Sequence, residues 1–262
     1  MSAPGRAAFL LGFGLAGGLL VLFVILPLAS TVLAVTPAEL LQALADPEVL
    51  GSIGLTFWAA TLATGLALVG GVPLAYLLAR YDFPGKALVE GVIALPVVIP
   101  HTAAGVALLM VFGSQGVLGR YLAPLGVVFT DHLAGVVVAM LFVSLPYLVT
   151  TSQSAFALVD IELERAALVE GASPWQAFWR VSLPIAWRGV LGGTLLMWAR
   201  GISEFGAVVI LAYHPKIMPV LLFERFSGFG LKAALPLAVL LILVVLALFS
   251  LLRFLLRNLA RE

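Results

Sequence analysis

The sequence predicts an all-α polytopic membrane protein with six transmembrane helices and a polar two-helix element on the cytoplasmic side. Three observations carry that prediction. First, 63% of the 262 residues are hydrophobic and only 10% are charged, with a mean hydropathy of +1.17. A soluble domain carries about a quarter of its residues as charges. Second, several apolar runs reach the roughly 20 residues that cross a bilayer. Third, one long segment, Glu164 to Pro184, interrupts this apolar chain with charges and strong helix punctuation.

Taken in order, Arg6 precedes an apolar run from Ala7 to about Val35, interrupted by Pro27. A cleaved leader has an apolar core of about 7–15 residues, so this longer run reads as a retained first span. Thr36 to Asp46 reads as a loop with a short helix, punctuated by Pro37 and Pro47. The second span runs from about Ser52 to Ala79 and ends in the charged turn Arg80–Lys86. A third span, about Ala87 to Phe112, is interrupted by Pro96 and Pro100. A Gly-containing loop, Gly113 to Asp131, leads to the fourth span, about His132 to Thr151, with Pro146 inside it. The polar element follows, and then a fifth span from about Trp187 to Ala212. Tyr213 to Lys232 is a semi-polar loop holding His214, Lys216, Glu224 and Arg225. The sixth span, about Ala233 to Leu252, is closed by Arg253, Arg257 and Arg261.

Six spans place both termini on one side. Basic residues flanking spans mark the cytoplasmic face. Arg6, Arg80, Lys86, Arg165, Arg180, Arg188, Arg253, Arg257 and Arg261 fall on one side, against Arg120, Lys216, Arg225 and Lys232 on the other. Both termini and the polar element are therefore expected in the cytoplasm. The basic residues form no stripe and the net charge is only +1, which argues against a nucleic-acid partner. The absence of cysteine excludes disulfides, cysteine catalysis and thiolate metal sites. No convincing internal repeat is visible, which weakly disfavours the inverted-repeat carriers. No phosphate-binding loop, Gly-x-Ser-x-Gly or His-Glu-x-x-His pattern occurs. The chain is therefore not expected to be an enzyme, and energy has to come from a partner or a gradient.

The polar element spans residues 157–184. Gly171 suits a left-handed C-cap. Ser173 suits an N-cap, with Pro174 at the first helical position and Gln176 completing a capping box. The pattern predicts helix, tight turn, helix, with Leu183-Pro184 stopping the second helix. Glu164, Arg165, Glu170 and Arg180 add charge. A compact polar hairpin between spans is a docking surface.

This stretch resembles the EAA loop of permease subunits of ATP-binding-cassette (ABC) importers. That loop reads Glu-Ala-Ala, three residues, Gly, nine residues, Ile, one residue, Leu-Pro. Ala166-Ala167, Gly171 and Leu183-Pro184 stand at those spacings. Arg165 occupies the Glu position, with Glu164 one place early, and Val181 replaces Ile. Phe83-Pro84-Gly85-Lys86, Leu95-Pro96-Val97-Val98-Ile99-Pro100-His101 and the run Ala199 to Ala207 are similar to the oxyanion branch, in particular the archaeal molybdate/tungstate permeases. The resemblance implies a type I importer fold, with residues 1–262 as a single permease domain and 157–184 as its coupling loop. It implies a homodimer in the cytoplasmic membrane. It also implies two cytoplasmic ATPase subunits and an extracytoplasmic oxyanion-binding protein as partners. No cofactor is expected on this chain; ATP and Mg²⁺ belong to the ATPases. Sulfate or thiosulfate is the alternative substrate within this class.

Each candidate group carries a plainer alternative. Glu164, Arg165, Ala166, Ala167, Glu170, Gly171, Ala172, Ser173, Pro174, Trp175 and Gln176 form the expected coupling surface, with small Ala172 and Ser173 admitting a partner and Trp175 as anchor. The alternative is an amphipathic hairpin lying on the protein's own surface. Arg200 and Glu204 stand four apart within a span, near Ser203. Charges at membrane depth need partners. They line the translocation path, with Arg200 offering charge-assisted hydrogen bonds to an oxyanion, or they form an intrahelical ion pair. Pro96, Pro100, His101 and Thr102 mark a broken helix that forms a gate, or else a kinked packing helix with a bonded histidine. No metal site is expected. Asp131 and His132, with Tyr213, His214 and Lys216, offer an outer docking surface or ordinary loop polarity. Two other function classes remain in view. A gradient-driven carrier predicts transport without an ATPase. An intramembrane enzyme needs a cluster of reactive groups, and His101, Arg200 and Glu204 are expected on different spans.

Overall fold

A computed structural model describes residues 3–259, with side chains at residue 6 and over 9–250. Every regular element among the described residues is helical. Arg261, and the side chains of Arg253 and Arg257, lie outside what is described. The chain divides into two compact units, Met1–Gly51 with Leu221–Glu262, and Ser52–Val220.

The first unit holds α1 (Ala3–Leu33), α2 (Pro37–Ala45), the start of α3 (Pro47–Arg80), most of α12 (Met218–Phe229) and α13 (Leu231–Leu259). Leu11, Phe13, Leu19, Leu20 and Phe23 of α1 are all exposed. A helix that shows apolar side chains all round is built for lipid or for a partner helix. The N-terminus of α2 is closed by Thr36 and Glu39 in a reciprocal capping box. Arg225 of α12, in what was expected to be loop, donates to Asp46 at 3.0 Å and Glu48 at 2.9 Å.

The second unit carries the rest of α3, then α4 (Lys86–Val98), α5 (His101–Phe112), α6 (Gly119–Leu122), α7 (Leu133–Ala157), α8 (Ile161–Val169), α9 (Pro174–Ala177), α10 (Leu183–Ile202) and α11 (Gly206–Leu211). α7 and α10 pack along their length. Gly189 stands directly against Ala155, and Gly193 against Leu148 and Thr151, so the two backbones approach where a side chain would hold them apart. Met197, Val190 and Ala186 of α10 close a core with Leu148, Val149 and Phe156 of α7 and Val72, Ala75 and Leu78 of α3.

Four described helices, α1, α3, α7 and α13, are long and apolar enough to cross a membrane, and α4 with α5 makes a fifth if that bent pair is one span. α10 has 20 residues, length for one more, but it carries Arg188 and Arg200.

Three expected boundaries change. The third span breaks at Pro100, as expected, but not at Pro96: α4 and α5 are bent by 117° at Ile99-Pro100. Pro96 stays inside α4, whereas the missing N–H of Pro100 coincides with the break. The fifth span breaks at Ser203–Phe205, between α10 and α11. Leu183-Pro184 does not stop the hairpin's second helix. A π-helical turn, Phe178–Ser182, joins α9 to α10. In that turn Leu183 N–H donates five residues back, to Phe178. The wider turn makes room for Pro184, whose ring would crowd the carbonyl four residues earlier in a regular α-helix.

Candidate functional site

Residues 157–184 form the expected hairpin. Asp160 caps α8 by accepting from Glu162 N–H at 3.0 Å. Gly171 ends it with φ of 91°, a left-handed conformation that glycine adopts without strain. Ser173 Oγ then accepts from Gln176 N–H at 3.2 Å, while Gln176 Oε1 accepts from Ser173 N–H at 2.8 Å, the capping box anticipated from sequence. Pro174 starts α9. These contacts hold a blunt turn whose surface residues, Glu170, Gly171, Ser173, Pro174, Trp175 and Gln176, are exposed. Ala166 and Arg165 are exposed as well, and Ala167 and Ala172 are half-buried. Trp175 is 67% exposed although its ring lies 5.6 Å from Trp179 and 6.1 Å from Phe178.

Glu164 departs from this outward display, because its carboxylate is buried in the protein itself. Oε1 accepts from Arg80 Nε at 2.8 Å and from Ser182 Oγ at 2.7 Å, and Oε2 accepts from Tyr76 Oη at 2.9 Å. Arg80 Nη2 lies 2.6 Å from Oε1 and donates to Val159 O at 2.9 Å. Arg165 instead faces outward and pairs with Glu162 at 2.5 Å. The carboxylate one place early therefore does not turn out to the surface position that Arg165 occupies. Tyr76, Arg80 and Ser182 were not singled out from sequence. Arg80 at the end of a span and the carboxylates Asp160, Glu162, Glu164 and Glu170 in a later polar loop were the available signal.

A second polar cluster sits at the two helix breaks. His101 starts α5, and Arg200 and Glu204 flank the end of α10. His101, expected on a different span from Arg200 and Glu204, meets both. Arg200 Nη2 donates to Glu204 Oε2 at 2.8 Å, and His101 Nδ1 lies 2.9 Å from the same oxygen. Arg200 Nη2 also lies 2.6 Å from His101 Nδ1 and 2.9 Å from Nε2, and the imidazole tautomer sets which ring nitrogen accepts from the guanidinium. Glu204 is fully buried, and its Oε1 accepts from Ala207 N–H at 2.8 Å, capping α11. The carboxylate thus satisfies a broken helix end and neutralises a guanidinium at once. Gly206 lets α11 lie against His101 and Thr102. Ser203 is exposed, and its hydroxyl accepts from Arg200 Nη1 at 3.3 Å. Pro100 precedes His101, and Pro96 is buried within α4. The arrangement offers an anion one guanidinium already paired, a hydroxyl and an imidazole edge.

Asp131 Oδ1 accepts from His214 N–H at 3.1 Å, so two of the residues expected at an outer docking surface do lie together.

Residues 71–262 match the family described as binding-protein-dependent transport system inner membrane component. The chain belongs to that family. Among relatives of this inner membrane component is the molybdate/tungstate transport system permease protein WtpB of Thermococcus kodakarensis. It is 39% identical over 245 residues, covering 93% of this chain and 94% of that protein. A probable sulfate transport system permease protein, cysT of Zygnema circumcarinatum, is 34% identical over 253 residues, covering 94% and 87%. The fold matches a chain in the crystal structure of a bacterial ABC transporter involved in the import of the acidic polysaccharide alginate. That match has a TM-score of 0.69, covers 95% of this chain and 96% of the other, and has 17% identity, a likeness of fold. This inner membrane component is thus an all-helical, multi-pass membrane protein.

Proposed function

We propose that the chain is the membrane-spanning permease subunit of an ATP-driven importer of molybdate or tungstate. The observation that carries this is the 39% identity, over nearly the full length of both chains, to a molybdate/tungstate permease. Two copies form the pathway, and a cytoplasmic ATPase subunit docks on each copy at residues 157–184. An extracytoplasmic binding protein delivers the anion. ATP and Mg²⁺ belong to the ATPases. The exposed, capped turn from Gly171 to Gln176 supports the docking assignment, since it presents Trp175 on a backbone that is already ordered. The basic residues flanking the spans support cytoplasmic termini.

ATP binding draws the two ATPases together, and the docked hairpins pass that movement to the spans. The nucleotide shifts the population between inward-open and outward-open forms only as far as it prefers one of them. His101, Thr102, Arg200, Ser203 and Glu204, at the helix breaks beyond Pro96 and Pro100, line the path in this reading. Because Glu204 already occupies Arg200, the anion meets a weakened cation and is not trapped.

The test is uptake of labelled molybdate, tungstate and sulfate into proteoliposomes holding the permease, its ATPase and its binding protein. ATP-dependent uptake of molybdate or tungstate, with sulfate excluded, is expected. Preference for sulfate would favour the second reading, which the relationship to sulfate permeases supports. Uptake without the ATPase would instead make the protein a gradient-driven carrier.

A further inference from the structure

We infer that Glu164, with Tyr76, Arg80 and Ser182, is the positioning joint that fastens the exposed hairpin to α3, so that a push on the hairpin is delivered first to the second span. This rests on the coupling reading of residues 157–184.

The argument begins with what α8 lacks. Glu164 is the one side chain that α8 buries. Its apolar residues do not fasten it: Leu163 is 48% exposed and Val169 86% exposed. Hydrophobic burial, the usual way a helix is fixed to its neighbours, is nearly absent. What holds α8 is a carboxylate taken out of water and surrounded by donors from two other elements. Tyr76 and Arg80 lie one turn apart on α3, and Ser182 closes the π-helical turn after α9. Arg80 also reaches Val159 O at 2.9 Å, so it grips both the start of α8 and the link from α7. The ring of Tyr76 is wedged edge-on between Phe156, 5.4 Å away, and Phe178, 4.9 Å away. Both ends of the hairpin therefore converge on one short stretch of α3.

A buried charge-assisted network is geometrically strict, and the fork of an arginine makes it more so. A joint of this kind transmits displacement, whereas a greasy contact lets helices slip. Removing a donor should loosen transmission while leaving the docking face on α9 as it is, since Trp175 and the capping box lie outside the network.

The test uses the permease reconstituted with its ATPase and binding protein. It compares Arg80→Gln, Arg80→Lys, Ser182→Ala and Tyr76→Phe by anions imported per ATP hydrolysed, with ATPase retention on the purified complex measured alongside. Arg80→Gln should keep the ATPase bound and hydrolysing but lower the transport-to-hydrolysis ratio about tenfold, within the range of typical coupling energies. Arg80→Lys should recover part of that loss, because an ammonium replaces one contact but not the fork. Ser182→Ala and Tyr76→Phe, which leave the ion pair in place, should lower the ratio about two- to threefold. Equal loss of transport and hydrolysis at an unchanged ratio would mean that the network only holds the fold, and would overturn the proposal. So would a ratio unchanged in all four variants. A wild-type complex that shows no ATP-dependent uptake would strike the permease reading instead.

Discussion

Arg200 reaches across 99 residues of sequence to His101, placing Nη2 2.6 Å from one ring nitrogen and 2.9 Å from the other, while the same nitrogen donates to Glu204. The contact joins two broken helices at the point where each has lost its regular hydrogen bonds. Removing Glu204 leaves a guanidinium without its counter-charge and an uncapped helix end. Glu204→Ala should therefore cost about 3–5 kcal/mol, read as a lowered unfolding midpoint in detergent or lipid. Replacing both partners with apolar residues, Arg200→Met with Glu204→Leu, should restore much of that loss. A Glu204→Ala protein as stable as the wild type would show that the pair is not structural.

Gly171 tests whether the turn geometry itself matters. Its φ is 91°, and a Cβ placed there would meet nothing within 4 Å. The penalty for a substitution is therefore backbone strain alone. Gly171→Val should cost about 1–3 kcal/mol, loosen the hairpin in hydrogen exchange, and lower transport per ATP. Gly171→Asn, which tolerates the left-handed region, should be much milder. Equal effects from the two would point to side-chain size in the docked complex instead.

Ser173 carries the other half of the turn. Ser173→Ala removes the acceptor for Gln176 N–H and half of the capping box. A loss of about 0.5–2 kcal/mol is expected, appearing as faster amide exchange over 175–177. Ser173→Asp should preserve the cap. Unchanged exchange in the alanine variant would show that the π-helical turn alone orders α9.

The contact between α7 and α10 depends on glycine. A side chain at Gly189 would run into Ala155. Gly189→Leu should force the helices apart at a cost of about 1–3 kcal/mol or more, lowering the unfolding midpoint. A paired Ala155→Gly should give part of it back. An unaffected midpoint would mean that the helices separate there without loss.

The capping carboxylate of α2 gives a pH prediction. Glu39 is held below the ordinary carboxylate range, first by the backbone N–H of Thr36 and then by the Thr36 hydroxyl. A depressed folded-state value stabilises the ionised form. The contribution is present above the unfolded-state value and is lost as pH falls through the folded-state one. The first turn of α2 should therefore fray in acid, seen as faster exchange over 38–40. Glu39→Gln should remove most of that pH dependence.

What the sequence made legible was local. Gly171, Ser173, Pro174 and Gln176 each act within a few residues, so their chemistry could be read in order and the hairpin follows. The apolar runs were equally plain, because a bilayer sets their length. The partners of Glu164 were not legible: Tyr76 and Arg80 lie 88 and 84 residues away. Nothing in a linear pattern pairs them. That His101 joins the Arg200–Glu204 pair was missed for the same reason, since it depends on a 117° bend and a second break that proline placement marks only in part. The π-helical turn was read as a stop because Pro184 usually ends a helix, whereas here the wider turn absorbs it.

That turn has a mechanical consequence. Since α9, the π-helical segment and α10 follow one another without a loop, Pro174 to Ile202 is one uninterrupted helical run. At 1.5 Å per residue such a run is roughly 40 Å along its axis. Trp175 stands at one end and Arg200 at the other. A pivot near its exposed end, through only about 5°, would sweep the far tip by roughly 3–4 Å, the width of an ordinary side-chain contact. Arg200, near the far end of that run, would carry such a movement to the His101 and Glu204 that it holds.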